Sequence, residues 1–500
     1  MALDLRRPSE LAIFILFQSA FIRVNPRLKI LRGRMDSREA SYKWLVAVAF
    51  VAGVFMDLMD VTIVNVALPT LGRDFGASTD TLEWVITGYL ISLAIWIPAS
   101  GWLSDRFGSK RTFAFALVMF TTGSALCGLA WSADSLIAFR MLQGVGGGMM
   151  TPVGTAMLFR AFPPAERARA SAVITVPTAI APALGPVLGG WLVDNASWRW
   201  IFYVNVPVGL AALLFVLLFL REHKEPSAGR FDVWGFLCSG GGLALVLYAL
   251  SQAPTHGWTS TAVVISGVLG IMLFGLLVVL ELGRPDPMLR LGLFRDRMFR
   301  SANLSMFMVY AVLLGVLFLL PLFLQELRGL SALQSGLTTF PQALGMLLMV
   351  PLSGRIYPRV GPRLMLTFAL IGIVATSSLF LMVDLETNLW WIRAIMFLRG
   401  VSMSLAIVAA QAAAFASIRS EEIGRASALF NTNRQVAASI GVAVLATVLG
   451  EHNSLTAFHH AFAASIVFGL VGIAFALRIH DEDAAASLML RPHEVSTTTR

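Results

Sequence analysis

GWLSDRFGSKR, Gly101–Arg111, is a short polar string wedged between two long apolar runs, one centred near Leu93 and the other near Leu117. An acid, three bases and two glycines between stretches of that length read as a tight aqueous turn joining two membrane-crossing helices, because about twenty apolar residues span a hydrocarbon core of roughly 30 Å as a helix and a helix satisfies its own backbone there. The rest of the chain repeats the pattern. About fourteen such stretches follow one another, the first centred near Val54 and the last near Phe468. Residues are 57% hydrophobic and only 13% charged, and the mean hydropathy is +0.75. A chain of this composition cannot bury its apolar surface in water and is expected to be an all-α integral membrane protein with the lipid bilayer as its solvent.

The formal charge of +9 invites a nucleic-acid partner, but the bases lie in short loops between apolar runs and not on a soluble domain. They act as topology markers. Lys and Arg gather at the N-terminus and in the loops 105–111, 160–169, 221–230, 284–300, 355–363 and 419–425, whereas the intervening loops hold few bases. The positive-inside rule therefore puts these loops and both termini in the cytoplasm of a multi-pass protein of the cytoplasmic membrane. Two cysteines, Cys127 and Cys238, fall inside predicted spans, which supports neither a disulfide framework nor a metal site. The first 43 residues read as a cytoplasmic extension. Their apolar run Leu11–Phe17 is too short to span, so an interfacial helix and a working start at Met35 are both open readings.

An internal repeat runs through the chain. At an offset of 256, Glu166, Arg169, Ala170, Ser171, Ala172, Ala181 and Gly185 recur as Glu422, Arg425, Ala426, Ser427, Ala428, Ala437 and Gly441. At an offset of 253, Gly101, Arg106, Gly108 and Lys110 are echoed by Gly354, Arg359, Gly361 and Arg363, with Pro358 where Asp105 stands in the first copy. Two six-helix halves separated by two inserted helices, related by an axis along the membrane normal, produce such spacing. The expected divisions are 44–220 and 299–480 for the halves, 221–298 for the linker with its two extra spans, and 481–500 for a cytoplasmic tail.

The opening string resembles the loop 2–3 signature of the major facilitator superfamily, GxLaDrxGrk, with Ser109 where Arg is common. LIAFRMLQGVGGG, Leu136–Gly148, resembles the fourth-helix motif lxxxRxxqGxg, and GPVLGG, Gly185–Gly190, resembles the antiporter signature gxxxGPxxGG with Ala181 in place of its first glycine. FMDLMDVTIVNVALP, Phe55–Pro69, is similar to the first-helix signature of the fourteen-span drug:H+ antiporter group, whose usual form has one acid where Asp60 stands here. WRWIFYVNVPVG, Trp198–Gly209, and SALFNTNRQVAASIG, Ser427–Gly441, extend the likeness over nearly the whole chain. The resemblance implies a major facilitator fold, export and no cofactor beyond a proton gradient. It also implies roles: Gly101, Asp105, Arg106, Gly108 and Lys110 in a cytoplasmic gate, and Gly185, Pro186, Gly189 and Gly190 in close helix packing that keeps a rocking interface smooth.

The residues expected to couple energy are Asp57, Asp60 and Arg140. A charge at membrane depth costs about 2.5–3.5 kcal/mol on insertion scales and so pairs or lines an aqueous cavity. Asp57 and Asp60 are three residues apart and share one helix face, and two such carboxylates resist being ionised together. One of them pairing with Arg140 or Arg434 as a structural bridge is the competing reading. Tyr89 and Trp96 are candidate aromatic walls for a flat cation, and Asn431 and Arg434 form part of a polar cluster expected at a cavity or gate. Asp105 is expected to face the start of the thirteenth helix, where Glu422 and Arg425 lie and where a helix N-terminus favours a carboxylate. The function expected is proton-coupled efflux of small amphipathic, lipophilic cations. A specialised exporter of a lipid, siderophore or metabolite and a non-transporting sensor are the alternatives. An ATP-driven pump is disfavoured, since no GxxxxGK[ST] string exists.

Overall fold

The structure, a computed structural model, describes residues 26–225, 229–282, 287–450 and 454–488. The extreme N-terminus, with Leu11–Phe17, and most of the tail expected at 481–500 lie outside the described residues. Fourteen long helices run through the described residues. The first six are α1 Pro26–Phe75, α2 Thr79–Phe107, α3 Ser109–Gly128, α4 Ala133–Ala161, α5 Arg167–Asn195 and α6 Asn205–Phe219, the last preceded by the turn Trp200–Tyr203. Two more follow, α7 Val233–His256 and α8 Thr261–Leu282. The final six are α9 Arg297–Leu322, α10 Pro341–Val360, α11 Pro362–Leu379, α12 Leu389–Ala414, α13 Ile423–Leu449 and α14 Leu455–Ala476.

Thirteen of these have the length and apolar character to cross a membrane. The fourteenth, α4, carries Arg140, Gln143 and the glycines at 144, 146, 147 and 148, and is too polar to qualify. It is buried almost without a break from Gln143 to Phe159, packed against α1, α2 and α3. A helix shielded by protein on all sides needs no apolar surface for lipid, so polarity and burial go together here. The opposite case is α8, the most apolar of the spans and the least buried.

Side-chain caps place several ends. Ser132 and Ser135 form a reciprocal capping box at α4, Asp296 accepts from Phe299 N at 2.7 Å at α9, and Ser454 accepts from Ala457 N at 3.2 Å at α14. Each satisfies a backbone donor that the first turn leaves open.

Two six-helix bundles result. The packing pairs α1–α5, α2–α4 and α3–α4 of the first recur as α9–α13, α10–α12 and α11–α12 in the second. The glycines of the sequence repeat explain one pair in both copies. A Cβ on Gly185 of α5 would lie 2.0 Å from Thr62 Oγ1 of α1, and one on Gly441 of α13 would lie 2.1 Å from the Ala311 carbonyl of α9. Hairpin α7–α8 rests on α2 of one bundle and α13 of the other.

The bundles meet at the end of the molecule that carries the Arg-rich loops, hereafter the basic end. A Cβ on Gly101 would lie 2.9 Å from the Gly424 carbonyl. Ser427 Oγ donates to Pro152 O at 2.7 Å, Arg167 Nη2 donates to Ile418 O at 3.2 Å, and the rings of Phe159 and Phe415 stack at 4.2 Å.

Candidate functional site

Asp57 and Asp60 lie one helical turn apart on α1, both buried, and the structure gives them different partners. Asp60 is fully enclosed. It forms an ion pair with Arg140 of α4, and its Oδ1 accepts from Gln143 Nε2 at 2.9 Å and from Asn205 Nδ2 of α6 at 3.2 Å. Arg140 also donates to Gln143 Oε1 at 2.7 Å and to Val85 O of α2 at 3.2 Å. Charge-assisted bonds to an acid held by two further amide donors make this a well-satisfied buried pair.

Among the described residues no cation bonds to Asp57. Its Oδ1 accepts the Tyr89 hydroxyl at 2.5 Å and its Oδ2 accepts Thr151 Oγ1 at 3.3 Å. Both donors are neutral. The Arg434 guanidinium, from α13 of the other bundle, sits 5.3 Å over the Tyr310 ring. Tyr89 ties the two acids together, since its ring faces the Arg140 guanidinium at 4.0 Å while its hydroxyl holds Asp57. Gly147 makes room for this contact: a Cβ there would be 2.6 Å from Tyr89 Oη and 2.8 Å from Asp57 Oδ1.

The aromatic residues differ from expectation. Tyr89 is wholly buried and serves as a hydrogen-bonding link, where sequence suggested an aromatic wall for a flat cation. Trp96 packs its ring 5.7 Å from that of Phe236 on the inserted helix α7, and Trp84 stacks on Tyr248 of the same helix. Asn431 is buried and its amide donates to Ser427 O of its own helix at 2.8 Å, leaving Oδ1 without a described donor.

At the basic end the loop 2–3 residues form a clasp. Asp105 is buried and accepts from Arg160 Nη2 at 2.8 Å. A Cβ on Gly424, in the first turn of α13, would lie 2.6 Å from Asp105 Oδ1, so the carboxylate abuts that helix start as expected. Glu422 is paired with Arg290 at 2.8 Å. Arg106 is exposed. Gly108 has φ +103° and a Cβ there would be 2.2 Å from Glu222 Oε1, so glycine is required for conformation and for space. Glu222 caps α3, accepting from Lys110 N at 3.0 Å and Arg111 N at 3.2 Å, while Lys110 Nζ reaches Leu217 O at 2.8 Å. The repeat preserves this arrangement. Gly361 has φ +85° against the Asp481 carboxylate, which accepts from Arg363 N at 2.9 Å. Only the acid of the clasp is missing from the second copy, where Pro358 lies buried within α10.

Of the antiporter-type glycines, Gly185 and Gly189 pack inside one bundle. Gly185 and Gly189 press α5 onto Thr62 and Ile63, directly after Asp60, and Gly190 is half-buried. Pro186 lies within α5, but its side chain is outside what the structure describes. Close glycine contacts between the bundles involve Gly101 and Gly424, and also Gly354 of α10 against Ala168 and Ala172 of α5.

Gln143, Asn205, Thr151, Arg160 and Glu222 were not singled out by sequence. Gln143 could have been, as the q of the fourth-helix motif, and Asn205 as the one polar residue in the run after Trp200. Arg399 is a further case: wholly buried, it donates to Ser377 Oγ and Val312 O, both at 3.0 Å. Ser377 is the repeat partner of Ser124, which accepts from Asn205 at 3.1 Å, so the second bundle keeps a buried arginine beside the equivalent serine but no described acid. Cys127 and Cys238 are both buried, and among the described residues no three His, Cys, Asp or Glu side chains converge as a metal site.

Comparison with known proteins agrees with this architecture. The profile of the Major Facilitator Superfamily matches residues 50–442. An uncharacterized MFS-type transporter, YhcA, of Bacillus subtilis is 32% identical over 83% of this chain and 77% of its own length. A multidrug resistance protein B homolog of Mycobacterium tuberculosis is 36% identical over 83% of this chain and 79% of its own. The crystal structure of the human organic anion transporter MFSD10 superposes with a TM-score of 0.64 at 18% identity, covering 87% of this chain and 99% of that one, a likeness of fold.

Proposed function

The chain belongs to the major facilitator superfamily, in the group of multidrug-resistance transporters, and from that premise we propose that it exports lipophilic cations across the cytoplasmic membrane in exchange for protons. The observation that carries this reading is the division between the two acids. Asp60 is neutralised by Arg140, whereas among the described residues Asp57 is held by neutral donors alone. Asp57 is the group free to exchange a proton for the charge of a substrate. Asp60 and Arg140 fix its setting through Tyr89.

Residues 44–220 and 299–480 are the units that rock, with 221–298 linking them. The contacts at the basic end belong to a state closed to the cytoplasm, and Asp105, Arg160 and Gly424 form the latch that must part for substrate to enter. Proton binding to Asp57 from outside and substrate binding from inside compete for one site, and that competition enforces exchange. One proton for one monovalent cation moves no net charge and draws only on the pH difference, about 1.4 kcal/mol per unit. A second proton recruits the membrane potential as well, at about 2.3 kcal/mol per 100 mV.

The test is reconstitution in vesicles with an imposed pH gradient and an internal pH dye, followed by a panel of lipophilic cations and neutral amphiphiles. Substrate-triggered proton movement that vanishes in Asp57→Asn plus Asp60→Asn supports antiport. No response to any compound from folded protein moves the reading to a specialised exporter or a sensor.

A further inference from the structure

Beside the clasp, between the end of α2 and the segment entering α7, lies an open surface pocket of about 660 Å³ lined by Trp102, Arg106, Phe107, Gly229, Arg230 and Phe231. Arg106 and Arg230 are both exposed, and no described acid pairs with either. The acids nearest in sequence are engaged elsewhere. Glu222 caps α3, Glu225 pairs with His223 at 3.7 Å, and Asp232 caps α7 through Gly235 N at 2.9 Å. Two guanidinium groups thus face one pocket without counter-charge.

The remaining lining is aromatic. Trp102 packs against Phe231 at 4.8 Å and against Phe107 at 5.8 Å, both edge-to-face. Its indole Nε1 is buried without an acceptor among the described residues, so the ring is held there by packing. Phe107, at the end of α2, and Trp234, at the start of α7, are exposed large side chains of the kind that mark the membrane interface where apolar spans end.

We propose that this pocket is a binding site for an anionic phospholipid. The phosphodiester sits between Arg106 and Arg230, and the glycerol end of the acyl chains lies on Phe107 and Phe231. Basic pockets at the cytoplasmic face of membrane helices recognise headgroups in this way. A soluble phosphate would use the arginines but gain nothing from the rings. Arg106 adjoins Asp105, and Glu225 N donates to Asp105 O at 3.0 Å, so a bound headgroup ties the end of α2 to the entry of α7 while the clasp is closed.

The experiment uses the full chain in nanodiscs of phosphatidylcholine with and without phosphatidylglycerol, reading lipid retention by native mass spectrometry and the melting midpoint. Each arginine near an anionic surface contributes enough for about a five-fold change in affinity, so Arg106→Gln with Arg230→Gln should weaken phosphatidylglycerol retention by roughly thirty-fold and abolish its stabilisation. Arg230→Gln alone, in a loop, carries the test at about five-fold should the double variant fold poorly. Lys224→Gln with Arg295→Gln removes the same charge from exposed sites at the same end and should leave retention unchanged. Equal losses in both pairs would reduce the effect to surface charge and overturn the site. Inorganic phosphate protecting the protein in phosphatidylcholine as well as the lipid does would overturn the lipid assignment.

Discussion

Neutralising Asp60 and Arg140 one at a time and then together measures whether the buried pair is one unit. In Asp60→Asn the guanidinium of Arg140, 1% exposed, loses its counter-charge but keeps Gln143 Oε1 at 2.7 Å, Val85 O at 3.2 Å and the Tyr89 ring at 4.0 Å. Orphaning one member of a buried pair costs about 3–5 kcal/mol, and with neutral partners still in place the loss belongs near the lower end, about 3 kcal/mol. In Arg140→Gln the Asp60 carboxylate keeps only two amide donors, Gln143 and Asn205, and the loss should be at least as large. The double variant removes both charges and leaves amides that can bond to one another. Its loss should be no greater than either single one, a coupling of about 3 kcal/mol. Equilibrium unfolding in mixed detergent reads all three. Losses that add to within about 0.5 kcal/mol would show that Asp60 and Arg140 do not act as a pair, and the assignment of Asp57 as the exchangeable acid would lose its basis.

Further expectations concern the site and the clasp. Asp57→Asn should abolish substrate-driven proton movement in vesicles while costing little stability, since Tyr89 and Thr151 can still bond an amide; retained proton flux would refute its role. Gly185→Ala places a Cβ 2.0 Å from Thr62 Oγ1 and 3.2 Å from Ile63 N, and should cost about 1–3 kcal/mol by overpacking, seen as a lowered melting midpoint. Gly101→Ala drives a Cβ against the Gly424 backbone and should shift the bundles apart at the basic end, read as a longer spin-label distance across it; an unchanged distance distribution would remove Gly101 from the bundle interface. Asp105→Asn weakens the bond from Arg160, and normal turnover in that variant would dispose of the latch.

Much of the fold was legible in sequence because membrane-length apolar runs are local features and a helix needs only its own backbone to form in lipid. Helix number, the repeat and the glycine contacts that echo across it all follow from strings such as Gly101–Arg111 and Gly185–Gly190. The one stretch counted as apolar that does not pass as a span by composition is α4, whose polarity is matched by its burial. What sequence could not supply is the choice of partner. Asp57 and Asp60 are alike as residues three apart on one helix, and only the arrival of α4 and α6 beside one acid, and of Tyr89 and Thr151 beside the other, makes one a neutralised ion pair and the other a carboxylate with neutral donors. Likewise Trp96 and Tyr89 fall on one helix face, yet packing sends one to the inserted helix and the other into the acid network. Helix content and topology were set by the order of residues along the chain, because hydropathy and turn chemistry act over neighbours. The assignment of charge to charge was decided by tertiary structure, because it depends on which side chains from distant helices share one dry space.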